Sequence, residues 1–363
     1  MFESKTKLRV SAAALGALLV AGGSSLAADF SPELKDLIKK ANAEGKFHSS
    51  WSQSSLGGTV GARQIEAGMN KMFGTKIKIT FSPGRSMAGM SAKIRAEAAA
   101  GTPATSDIYL GSSPFALPLL KRKVLLAYPW TKLLPGRITS EMSEAGGRVI
   151  RVATGLGGVT YNPKLVPGGK IPTKMSDFLD PAWKGKIAST PYAASFDTLS
   201  ADGVWGAKKT IDYVRKLSKN IRGLIRCGEG ERIATGEIVA LVMDCSGQTA
   251  LQWAAKGAPV AQMLSIEAAI KRHFYLGVPK NSANKDAAAL YAVFLMTPEG
   301  QKIVWEKWQL DSDLFPESNI RKQVREMEKK GAKFTEASIA FQQAHPEINK
   351  VKKTIVKILK SAK

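Results

Sequence analysis

Apolar residues along this chain switch repeatedly between a period of two and a period close to four. Residues 46–51 read as a strand, and Ile65, Met69, Met72 and Phe73 then recur at the spacing of one helix face. Ile77, Ile79 and Phe81 alternate as a second strand, Met87, Met90 and Ile94 mark another helix, and 107–110 a third strand. Ser113-Pro114 opens the next helix, with proline at a position whose N–H has no helical partner to lose. The alternation returns with strands near 186–189, 223–227, 238–244 and 260–264. Sustained strand-helix alternation predicts an α/β fold of mostly parallel sheets flanked by helices. A chain of 363 residues exceeds one ordinary core, which predicts two lobes.

The amino terminus departs from this pattern. Lys5, Lys7 and Arg9 precede an apolar run over 10–20, the length of a signal-peptide core and too short to span a bilayer. Ser25-Leu26-Ala27 supplies small residues for cleavage, so 1–27 are expected to be a signal peptide and the mature chain to be exported. No cysteine near the cut suggests a lipid anchor.

Hydrophobic content of 44% excludes a disordered chain. The net charge of +23 points to anionic ligands, nucleic acid or anionic membrane. Much of it is peripheral: from Arg321 onward twelve Lys and Arg face four Glu. Ile348, Val351, Ile355, Ile358 and Leu359 recur at helical spacing there, with most lysines on other faces, so the tail is expected to be a helix covering a lobe. Export argues against nucleic acid as the natural partner.

Cys227 and Cys245 each end an apolar run, with a short helix between them. In a strand-helix-strand unit those ends can lie side by side, and an oxidising compartment would let them pair as a disulfide. Two buried thiols are the alternative. Without clustered histidines, a zinc site is not expected.

The stretch from Gly157 to Pro191 has the punctuation of a crossing between lobes. It holds a short strand closed by Tyr161-Asn162-Pro163 and a return through Asp180-Pro181-Ala182-Trp183-Lys184-Gly185-Lys186-Ile187. This segment resembles the iron(III)/polyamine-type solute-binding proteins of bacterial ABC importers. Lys93-Ile94-Arg95-Ala96-Glu97 before Ser106-Asp107-Ile108-Tyr109, Gly236-Glu237-Ile238-Val239-Ala240 and Thr297-Pro298-Glu299-Gly300-Gln301 are similar to further pieces of that family, in the same order. The resemblance implies a two-lobed type II periplasmic binding protein. Lobe 1 would comprise 28–155 and 270–310, and lobe 2 156–269 and 311–363, with the ligand in the cleft between them. It implies a monomer in the periplasm, without catalysis or cofactor, that hands its solute to a membrane permease driven by an ATPase.

In parallel α/β sheets, ligands sit at the carboxyl ends of strands, beside helix N-termini that present free N–H groups. Those positions hold Ser52, Gln53, Ser54 and Ser55, then Arg85 and Ser86, Ser112 and Ser113, Gly157, Gly158, Thr160 and Tyr161, Ser195 and Asp197, and Asp244 and Ser246. Hydroxyls, close backbone donors and helix dipoles suit a small anion, and Arg85 could clamp a carboxylate or phosphate. Helix capping is the competing reading for any single serine. The site class is therefore an anionic or zwitterionic organic solute: a phosphonate, phosphate ester or carboxylate.

Iron(III) and polyamines are the alternatives. Iron binders of the resembled family use a Tyr-Tyr pair where this chain has Cys245-Ser246-Gly247. A hard cation wants phenolate or carboxylate oxygens, and Tyr161, Tyr192 and Asp244 are what remains. Asp197 and Asp244 leave room for an amine. Trp51 could stack on an organic ligand or belong to the core. A serine hydrolase is the remaining class: Gly84-Arg85-Ser86-Met87-Ala88 nearly forms a nucleophile elbow, with His48, His273 or His345 needed beside it.

Overall fold

The computed structural model describes residues 30–84 and 86–362. The expected signal peptide at 1–27 and Arg85 lie outside the described residues. Two large hydrophobic clusters organise the rest. The first gathers Leu34, Ile65, Met69, Val152, Phe274 and Phe294, and the second Val159, Phe178, Ile187, Phe196, Val214 and Val242.

Period-two patterning buries both faces of the sheets. Ile187, Ala240 and Val242 belong to the second cluster, whereas Ala188 and Leu241, one residue out of phase, belong to a smaller cluster with Ile225, Ile233 and Val260. In the same way Phe274 and Leu276 join the first cluster, while Tyr275 packs with Ile94, Tyr109 and Leu119 on the opposite face.

The expected mostly parallel sheets are in fact mixed. Lys46–Trp51 pairs in parallel with Lys78–Pro83, but the sheet of the second cluster runs Ala261–Met263, Val159–Tyr161, Ala240–Val242, Ile187–Ser189, Ile221–Leu224, with its first two pairings antiparallel. In the third sheet Val149–Gly157 and Ile270–Gly277 pair antiparallel from Ile270 opposite Gly157 to Leu276 opposite Ile150. The reason is geometric: one strand carries the chain out across the junction of the two clusters and the other carries it back. The chain passes from first to second cluster between Leu156 and Val159, and returns between Ile270 and Phe274. A bridge from Thr154 to Asp311 adds a third contact at this junction.

Residues after 310 divide between the clusters, unlike the expected placement of 311–363 together. Phe315, Ile320 and Val324 pack in the first, and Val351, Ile355 and Leu359 of the terminal helix Ile348–Ser361 in the second. The apolar stripe of that helix is buried as its spacing predicts; Ile358 stays partly exposed.

The third strand begins at Tyr109, two residues later than expected. Asp107 is instead a buried hub: its carboxylate accepts from Ser282 Oγ at 2.7 Å, His48 N at 2.8 Å and Asn284 Nδ2 at 2.9 Å. Cys227 likewise lies beyond its strand, which ends at Leu224, and it is bonded to Cys245 with Cα atoms 5.9 Å apart.

Candidate functional site

The sheet and helix ends of both clusters frame a cleft of about 950 Å³. Of the residues expected there, Ser52, Ser54, Ser55, Ser86, Ser112, Asp197, Asp244 and Ser246 line it, as do both cysteines. Ser86 caps the helix Met87–Ala100, accepting from Gly89 N at 3.1 Å, and Ser112 precedes Ser113–Lys121. Both are extended residues before a helix, but only the Ser86 hydroxyl caps its helix; that of Ser112 makes no cap bond.

Other expected residues do not line the cleft: Gln53 is exposed outside it, and the rest lie behind the wall. Ser113 is fully buried and donates to Ala337 O. Gln53 packs its amide against Gly58, where a Cβ would lie 2.5 Å from its Nε2. Tyr161 does not reach the cleft: it is 6% exposed, within the second hydrophobic cluster. It lies on a central strand, paired with Ala240 and Ala261. Strand alternation decides this, since a side chain on a central strand faces one core or the other. Gly157 and Gly158 serve close packing; a Cβ at Gly158 would collide with Met263 O. Trp51 is a core residue, tilted against Phe81 and Tyr291.

Asp244 builds the cleft floor. Its Oδ1 accepts from Gly247 N at 3.0 Å and Gly158 N at 3.3 Å, and its Oδ2 from Thr160 Oγ1 at 2.6 Å. Burial pushes this carboxyl up to about 6, against the pull of those donors. Thr160 thus contributes from below the surface. Ser195 sits at φ 62°, a left-handed conformation unusual for serine, and donates to Asp244 O at 3.1 Å.

Asp197 is buried between two cations. Lys352 Nζ stands 2.9 Å from its Oδ2, Arg272 Nη2 3.8 Å from its Oδ1, and Thr198 N donates at 2.9 Å. Burial alone would raise this carboxyl, but Lys352 and Arg272 hold it below its ordinary value. Glu229, at the mouth, accepts from Arg226 N at 3.2 Å and pairs with Arg232 at 3.3 Å. All three acids of the cleft are therefore engaged by the protein itself.

Sequence reasoning missed Arg226, Arg272 and Lys352, which line the cleft, and named Tyr192, which also lines it, only as an oxygen donor for iron. Arg226 follows the strand-end rule and was within reach of it. Arg272 stands between Lys271 and His273 on a strand whose alternation with Ile270 and Phe274 does not by itself say which face meets the cleft, and Lys352 is one lysine among many in the tail. Tyr192 accepts from Cys227 N at 3.0 Å.

The hydrolase constellation is not assembled. His273 is fully buried, with Nδ1 3.1 Å from Thr154 and Nε2 2.6 Å from Glu336; His48 bonds Thr80 and His345 bonds Glu347. None of the three lines the cleft with Ser86. Among the described residues, no group of three or more His, Cys, Asp or Glu is placed to hold a metal ion.

Residues 66–316 match the family model for the bacterial extracellular solute-binding protein, well over half of the chain, and the chain belongs to that family. The fold is that of type II periplasmic binding proteins. It is similar to AfuA from Actinobacillus pleuropneumoniae, solved with exogenous fructose-6-phosphate bound, at TM-score 0.68 and 20% identity over 88% of this chain and 99% of that one. PotD from Streptococcus pneumoniae, a spermidine/putrescine transporter's substrate-binding protein, gives 0.62 and 16% over 86% and 99%. Iron-bound HitA from Pseudomonas aeruginosa gives 0.61 and 15% over 85% and 99%. A sequence relative, the Fe(3+)-binding periplasmic protein of Serratia marcescens, is 24% identical over 122 residues; the match spans 33% of this chain and 36% of the relative's length.

Proposed function

We propose that this chain is the periplasmic solute-binding component of an ABC importer. It acts as a monomer that captures a small anionic or zwitterionic organic solute and delivers it to a permease and ATPase. The two clusters are the cores of two lobes, and the antiparallel pair Val149–Gly157 and Ile270–Gly277 is the hinge about which they close.

The observation that carries the anionic reading is the state of the cleft's charges. Asp244 and Glu229 are engaged by groups of their own, and Asp197 is one carboxylate shared by Arg272 and Lys352, which line the same space with Arg226 and serine hydroxyls. Arg272 Nε is buried without an acceptor among the described residues. An oxyanion supplies acceptors to those donors; a polyamine would need carboxylates that are engaged elsewhere. Iron(III) would need oxygen ligands, and Tyr161 is turned into the core.

A thermal-shift screen of phosphonates, phosphate esters, carboxylates, polyamines and ferric salts tests this. A ligand at about 100 times its Kd stabilises the folded form by about 2.7 kcal/mol, a rise of several degrees. Oxyanions are expected to give that rise. A shift with ferric salts or polyamines alone would contradict the reading.

A further inference from the structure

The terminal helix reaches the cleft at one point. Its buried residues Val351, Ile355 and Leu359 dock on the second hydrophobic cluster, which turns Lys352 toward the cleft wall. The Lys352 side chain is 28% exposed and spans 155 residues of sequence to meet Asp197 at 2.9 Å. An ammonium has three N–H donors. Asp197 takes one, and the described residues offer the other two no hydrogen-bond partner. Beside it, Arg272 approaches the same carboxylate and Ser195 Oγ at 3.4 Å.

We propose that Lys352 is a solute-binding residue: with Arg272 it forms a two-cation subsite for the oxyanion group of the ligand, and Asp197 is the positioning residue that holds both cations in place. The arrangement follows from charge. A lysine left alone at a cleft wall is floppy and strongly hydrated; anchoring one donor on a buried carboxylate fixes its direction while leaving donors for a ligand. One carboxylate cannot neutralise two cations, so the trio retains a positive charge at the wall. Lys352 lies on the terminal helix Ile348–Ser361, outside the residues matched by the family model, 66–316.

The inference rests on the anionic reading, and titration calorimetry separates the two. Inorganic phosphate, glycerol 3-phosphate and succinate serve as probes, which also tells a phosphoryl group from a carboxyl group. Wild type is expected to bind at least one. Lys352→Met is expected to weaken that binding about tenfold or more, as losing a charge-assisted hydrogen bond does. Lys352→Arg should retain most of it, and Lys353→Met, an equal charge change on the exposed face, should leave it unchanged. If Lys352→Met is poorly folded by circular dichroism, Asp197→Asn/Lys352→Met removes both charges together and is expected to show the same loss. Binding by the Lys352 variants equal to that of Lys353→Met would overturn the inference and leave the anionic reading standing. Failure of wild type to bind any of the three probes would overturn both.

Discussion

Thr160 donates its hydroxyl to Asp244 Oδ2 at 2.6 Å, joining a strand next to the lobe crossing to the floor of the cleft. The carboxylate also gathers the N–H groups of Gly158 and Gly247, so three segments are fixed by one buried acid. Its raised pKa, about 6 against an ordinary 3.8, makes this hub pH-sensitive. The native state takes up the proton first, so Asp244 adds stability as the pH falls through about 6 and withdraws it as the pH rises. Urea unfolding of wild type and Asp244→Asn at pH 7.5 and pH 5 checks this. Wild type should gain about 1 kcal/mol on the variant at the lower pH; a constant gap would count against it.

The Cys227–Cys245 bond closes a short loop, with 18 residues of separation, between two cleft-lining segments. Cross-linking a loop of that size stabilises by about 3 kcal/mol through the unfolded state. Reduction, or Cys227→Ser with Cys245→Ser, should lower the melting temperature by several degrees. Thiol titration of the unreduced, denatured protein should find no free thiol; two would refute the bond.

Arg151, on the strand Val149–Gly157, is 5% exposed and 2.5 Å from Asp313 Oδ1, which also meets Thr154 Oγ1 at 2.7 Å. Lys271 of the returning strand reaches the same carboxylate at 3.1 Å. Asp313→Asn leaves Arg151 buried without its main counter-charge and should cost about 3–5 kcal/mol. Glu141, 67% exposed and 3.9 Å from Arg151, should matter by under about 1 kcal/mol when changed to Gln. Chemical denaturation ranks the two, and equal effects would refute the buried-pair assignment.

Tyr161 offers a negative test. Because its ring packs in the second cluster, Tyr161→Phe keeps the packing and should leave solute affinity unchanged within about twofold. A large loss, or loss of a ferric charge-transfer band, would place its hydroxyl at the ligand after all.

The elements were legible where periodicity is strong. Ile65, Met69 and Phe73 form the buried stripe their spacing implies, and residues 46–51 and 78–83 are strands. The strand-end serines found the cleft because helix N-termini are local features. Sheet direction was not legible, since antiparallel crossing strands carry the same alternation as parallel ones. Nor was Lys352: its neighbours in sequence are lysines that face solvent, and only the docking of the terminal helix sets it apart. Tyr161 misled for the converse reason, a turn-adjacent residue whose sheet partners hide it.

The central claim is that the cleft holds a small oxyanion. Native mass spectrometry of protein purified from a periplasmic extract, followed by denaturation and identification of the released mass, tests it without prior choice of ligand. The account predicts one phosphorylated, phosphonate or carboxylate solute per chain, at lower occupancy in Lys352→Met. A released polyamine, or a mass excess of one ferric ion, would contradict it.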